Sequence, residues 1–181
     1  MIQISYGAMI LAVSIIWCMI RVIVALCNKR VDVVRELQLL LVYVCIVVII
    51  RFTFCPFETV DGKIQPLLFD AERILPPRIN LIPFVYLFDY ETVREIMLNL
   101  LGNSLMFVPV GIVYPIVYKK LNTHVKVIAA GIGFSLAIEL LQLPFFDRVS
   151  DVDDLILNSL GYVLGYLIYL LVKRIKTGRR A

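Results

Sequence analysis

Oxygen and nitrogen donors crowd one stretch of an otherwise apolar chain: Ser135, Glu139, Gln142, Arg148, Asp151, Asp153, Asp154 and Asn158. Carboxylates and amides with no histidine or cysteine among them suit hard ligands. Glu139, Asp151 and Asp154 therefore form a candidate set for a divalent cation such as Mg²⁺ or Ca²⁺. The same carboxylates suit acid–base chemistry, alone or metal-assisted. Arg148 offers an alternative, gripping a phosphate or carboxylate through paired hydrogen bonds, while an amine-bearing ligand would use the acids directly. No Ser/His/Asp or Cys/His arrangement is available, because the single histidine, His124, lies in a distant basic loop. No Cys-x-x-Cys or mixed His/Cys metal pattern occurs.

Spacing places these donors on helix faces. Ser135, Glu139 and Gln142 stand at i, i+4 and i+7, one stripe of a helix. Asp154, Asn158, Gly161 and Gly165 follow i, i+4, i+7 and i+11 on a second, and Asn99 and Asn103 share a third. The two glycines would let a neighbouring backbone approach closely.

The elements that position these stripes are membrane spans. Apolar residues make up 61% of the chain and the mean hydropathy is +0.90, values of a polytopic membrane protein. Stretches near 4–26, 37–54, 96–118, 125–143 and 154–172 are each long enough to cross a bilayer as a helix. The expected fold is an all-α membrane bundle of about five transmembrane helices in a single domain over residues 1–181. An ionisable group inside a span costs about 2.5–3.5 kcal/mol, so it is a functional-site hypothesis by default. At 1.5 Å per residue, Arg51, Asn103, Glu139 and Asn158 lie about 5 to 10 Å inside one end of their spans. Four helices thus carry polar groups at one level. Together with Gln142, Arg148, Asp151 and Asp154 they form the candidate pocket.

Charge sets the expected orientation. Lys29, Arg30 and Arg35 lie in the first loop, Lys119, Lys120 and Lys126 in the third, and Lys173, Arg174, Lys176, Arg179 and Arg180 in the tail. These segments alternate correctly to share the cytoplasmic side, with the N-terminus outside and the C-terminus inside. The loop over 55–95 would be extracellular, and its span from Glu58 to Glu95 holds seven acids against four bases. The net charge of +4 is therefore a topology signal rather than a nucleic-acid footprint. The first span reads as an anchor rather than a cleaved signal, since no basic residue precedes it and its apolar run is long. Of the four cysteines only Cys55 is expected at the outer surface, so no disulfide framework follows.

Plainer readings stand beside the functional ones. Asn103 and Asn158 are equally suited to hydrogen-bonding neighbouring helices, worth about 0.6 kcal/mol each. Ser150 or Asp151 fits an N-cap for the last span, with Asp153 and Asp154 favoured by its dipole. Arg51 and Glu139 suit a structural ion pair, and Pro109 and Pro115 would bend or end the third span. The run PLLFDAERIL (66–75) reads as a short amphipathic interfacial helix. RINLIPFVYLF (78–88) reads either as an interfacial or re-entrant segment or as a loop capping the bundle. A weak echo links GNSLMFVPVG (102–111) and LNSLGYVLGY (157–166).

Four motifs in this order carry a resemblance: NLIPF at 80–84, N-x3-F-x-P-x-G at 103–111, S-x3-E-x2-Q at 135–142 and R-x2-D-x-D-D-x3-N-x2-G-x3-G at 148–165. Over 80–170 the chain resembles the VanZ-like family of bacterial membrane proteins. The resemblance implies a small multi-pass protein of the bacterial cytoplasmic membrane. The family's founding member, from glycopeptide-resistance gene clusters, confers low-level resistance to teicoplanin and related lipoglycopeptides. The resemblance transfers no catalytic assignment.

The leading expectation is a polar pocket at the outer leaflet that recognises a membrane lipid, a peptidoglycan precursor or a lipoglycopeptide, so altering antibiotic access. The alternative is a carboxylate- or metal-dependent enzyme that modifies an envelope lipid or polymer. A structural, partner-binding subunit is a further reading. Transport needs polar groups along a path through the whole bundle, and the inner halves of the spans read as nearly free of them.

Overall fold

A computed structural model describes residues 1–29, 31–54, 59–60, 63–75, 78–85, 92–146 and 148–178. Cys55, Asp147 and the end of the 78–88 run lie outside these residues. Five helices carry the fold: α1 (Tyr6–Asn28), α2 (Val33–Phe54), α3 (Val93–Val117), α4 (His124–Gln142) and α5 (Val152–Gly178). Each is long and apolar enough to cross a membrane, in keeping with the five spans expected.

Hydroxyl caps mark where three of them begin. Ser5 accepts the Ala8 amide at 3.2 Å, Thr92 the Glu95 amide at 3.3 Å and Thr123 the Lys126 amide at 3.3 Å, each supplying one of the acceptors a first helical turn lacks. Pro109 does not end α3, which continues to Val117, two residues beyond Pro115.

Small residues decide how the helices pack. α3 and α5 form the most extensive contact, flanked by α2 against α3 and α4 against α5. A Cβ on Gly161 would overlap the Ser104 carbonyl, one on Gly165 the Val108 carbonyl, and one on Gly111 the Tyr162 carbonyl. The α3 and α5 backbones therefore touch, and the two echoing segments, 102–111 and 157–166, pack on each other. Phe107, Val110, Tyr162 and Tyr166 fill the core around this seam. α1 stands apart. It has no buried residue and is held to α2 by Ser14 Oγ on Tyr43 Oη at 2.6 Å and by the Arg21–Glu36 ion pair.

Short strands tie the loops to one end of the bundle: β1 (Ile2–Ile4), β2 (Thr59–Val60), β3 (Lys63–Ile64), β4 (Leu67–Phe69), β5 (Ile79–Asn80) and β6 (Ser150–Asp151). β1 pairs antiparallel with β4, β2 antiparallel with β3, and β5 parallel with β6. The expected amphipathic helix over 66–75 does not form. Residues Leu67–Phe69 are a strand, and Asp70 then caps a single 3₁₀ turn, Ala71–Ile74. The cause is non-local: the residues just before α1 supply the missing strand partner, which local periodicity cannot reveal.

Candidate functional site

The site is built where β6 turns into α5. Asp151 receives both carboxylate bonds from Asn80 Nδ2, at 3.1 Å each. Asn80 Oδ1 in turn accepts the Ile82 amide at 3.0 Å, closing a side-chain turn typical of asparagine. Asp151 Oδ1 also accepts the Asp153 amide at 2.9 Å, which satisfies one free donor at the start of α5. Asp151 thus caps its helix and clamps the 79–82 segment over the bundle end.

Asp153 performs a second clamp. Both of its carboxylate oxygens accept the Phe84 amide, at 2.9 and 3.0 Å. Phe84 sits at φ 61°, a left-handed conformation that costs a residue with a Cβ about 1–2 kcal/mol. The charged acceptor offsets that strain and holds the loop tip, where Leu81, Ile82, Phe84 and Val85 are all exposed.

Beneath the clamps lies Glu139, only 3% exposed. Its Oε2 accepts the Asp151 amide at 3.1 Å and the Ser150 hydroxyl at 3.5 Å. Asn103 reaches from α3 to give Nδ2 to Asp154 Oδ1 at 2.5 Å. Gln142 gives Nε2 to the Thr53 carbonyl at the end of α2, at 2.8 Å. Asp154 acts electrostatically on Glu139, and Asp151, Asp153 and Arg148 act on Asp154.

Six of the eight expected pocket residues are thus linked in one region by hydrogen bonds, charge or position along α5: Asn103, Glu139, Arg148, Asp151, Asp154 and Asn158; Gln142 bonds instead to the end of α2. Arg51 is placed differently. Its guanidinium stands 5.8 Å from the centre of the Tyr6 ring, at the start of α1, while Glu139 bonds to β6. Among the described residues, no group of three or more His, Cys, Asp or Glu is arranged to hold a metal ion.

Several polar atoms in this region have no protein partner although they are buried: Ser135 Oγ, Gln142 Oε1, Asn158 Oδ1 and Tyr162 Oη. Ser135, Asn158 and Tyr162 are each at most 1% exposed. An unpaired buried hydroxyl costs about 1–3 kcal/mol. Tyr162→Phe removes one and keeps the ring, so it is expected to leave the stability unchanged or raise it by up to about 1 kcal/mol, measurable by unfolding in mixed micelles.

Asn80, Asp153 and Tyr162 are the residues that sequence reasoning leaves out of the pocket. Asn80 carries a signal, as an amide inside the NLIPF motif. Tyr162 is hidden because a tyrosine in a span reads as apolar. A groove of about 570 Å³ lined by Ser14, Cys18, Val22 and neighbouring α1 residues shares no residue with the acid site.

A family model described as VanZ/LLP1 matches residues 40–173. The match includes most of α2, which carries little of the motif signal. No curated protein and no solved structure matches the chain.

Proposed function

Since the chain belongs to the VanZ/LLP1 family, we propose that it works as a VanZ-type protein of the bacterial cytoplasmic membrane. Its acid-capped end would recognise an amphiphile of the cell envelope: an envelope lipid, a peptidoglycan precursor or a lipoglycopeptide of the teicoplanin kind. One observation carries this reading. The Asp153–Phe84 clamp sets an exposed apolar tip beside a polar rim. Leu81 is 74% and Ile82 65% exposed, and Asp151, Asp153, Asp154 and Arg148 are half-buried next to them.

Such a surface suits a two-part ligand. The acyl chain lies on the tip within the interfacial layer, and amide or amine groups reach the carboxylates. Basic loops at the other end of the bundle favour an outer position for this rim, where a lipoglycopeptide meets its target. Binding there would lower the antibiotic's access to that target and raise resistance.

The test is teicoplanin susceptibility in a susceptible Gram-positive host. The unaltered chain is expected to raise the inhibitory concentration. Asp153→Ala, Glu139→Gln and Asp154→Asn are expected to return the host to empty-vector susceptibility while their amounts in the membrane stay normal. Full resistance in all three variants would remove the rim from the function. No resistance with the unaltered chain would remove the resistance role itself.

A further inference from the structure

The polar site continues through the bundle as a seam between α4 and α5. These helices run antiparallel, and three contacts set their register. Glu139 Oε2 accepts the Asp151 amide at 3.1 Å at one end, with Asp154 acting on it through its charge. Gly131 lies against the Tyr162 ring in the middle, where a Cβ would overlap the ring carbons. Tyr166 Oη bonds to His124 Nδ1 at 2.9 Å at the other end. On α5 the polar residues Asp154, Asn158, Tyr162 and Tyr166 recur every fourth position; on α4 Gly131, Ser135 and Glu139 do the same. Residues four apart share a helix face. The register therefore stacks Glu139 with Asp154, Ser135 with Asn158 and Gly131 with Tyr162 in consecutive layers.

Each layer offers a group able to take or pass a proton. The first holds two carboxylates, with Asp151, Asp153 and Arg148 as charged neighbours and Asn103 as a neutral donor. The second and third hold Ser135 Oγ, Asn158 Oδ1 and Tyr162 Oη, all buried and without a protein partner. Buried polar atoms of this kind are the positions that ordered water bridges. Around Tyr162, the facing titratable groups are Tyr114, edge-on at 5.9 Å, and Tyr166. Tyr169 stacks on Tyr166, and His124, exposed at the start of α4, ends the line. From Asp154 to Tyr166 the seam rises about 18 Å along α5, roughly three fifths of a hydrocarbon core. Ionisable groups inside a membrane typically mark such relays. Tyr162, Tyr166 and His124 carry the line on beyond the acids, into the half of the bundle where the sequence offers few other polar groups.

We propose that the α4–α5 seam conducts protons between the Glu139/Asp154 carboxylates and His124 at the opposite end of the bundle. A proton arriving at His124 passes through Tyr166 and Tyr162, by way of bridging water, to the Ser135/Asn158 layer and then to the acids. The reverse sequence returns it. This goes beyond ligand recognition at the rim and does not depend on it.

The test uses the purified full chain in liposomes with a pH-sensitive dye inside and a potassium diffusion potential as the driving force. Internal pH is expected to change faster than in protein-free vesicles. The excess flux should vanish in Tyr162→Phe, which removes only a hydroxyl that no protein group holds, and in Glu139→Gln. Because Tyr162→Phe is expected to fold at least as stably as the unaltered chain, a lost flux with an unchanged or raised unfolding midpoint supports a relay role. Two results would overturn the proposal: flux in the unaltered chain equal to that of protein-free vesicles, or undiminished flux in Tyr162→Phe.

Discussion

Glu139→Ala is expected to destabilise the protein by about 2–4 kcal/mol, whereas Glu139→Gln should leave it as stable as the unaltered chain or more so. Two opposing effects meet at this residue. A carboxyl group that is 3% exposed carries a desolvation penalty whenever it ionises, and a neutral amide in its place never does. The same group is the acceptor for the Asp151 amide and the Ser150 hydroxyl, and a buried donor left unpaired costs about 1–3 kcal/mol. Alanine removes the acceptor together with the charge, leaving both donors stranded under the cap. Glutamine removes the charge and retains one oxygen at the right reach. Unfolding in mixed micelles would separate the two variants. Amide exchange at Asp151, fast in Glu139→Ala and slow in Glu139→Gln, would place the change at the β6 cap. Equal stability in both variants would mean that the cap does not depend on Glu139.

Gly161→Val is expected to cost about 3 kcal/mol or more. A Cβ at this position overlaps the backbone carbonyl of Ser104, and a helix backbone cannot swing aside as a flexible side chain does. α3 and α5 must separate, and with them Asn103 and Asp154, which bond across the same seam. Gly133→Ala is the matched control, since nothing lies within 4 Å of its Cβ direction; its effect should stay within about 0.5 kcal/mol. The readouts are membrane accumulation and the unfolding midpoint. Against a total stability of about 5–15 kcal/mol, the valine variant should accumulate visibly less than the control.

Much of the site is legible in the amino-acid order. The stripes Ser135–Glu139–Gln142 and Asp154–Asn158–Gly161–Gly165 follow from helix periodicity alone, and the close approach expected of the two glycines is what brings α3 onto α5. The order of the four motifs points to the family whose model matches the chain. The partners are less legible. Asp151 reads as a helix cap or a ligand, and it caps α5 while also clamping Asn80, 71 residues away in sequence. Arg51 stands over Tyr6, a neighbour that counting depth along a helix could not supply, because depth says nothing of the direction around it.

What the sequence determined by itself is local: five apolar runs of spanning length, the period-four stripes they carry, and the glycines that permit contact. Hydrophobic length and helical repeat are properties of one segment, so one segment suffices to read them. The tertiary structure alone decided which stripes face each other, that Leu67–Phe69 is a strand of β1's sheet, and that tyrosines prolong the acid site into a seam. In a membrane the lipid-facing and protein-facing sides of a helix are both apolar, so hydrophobic pattern cannot select the packed face. Only the contacts between helices can.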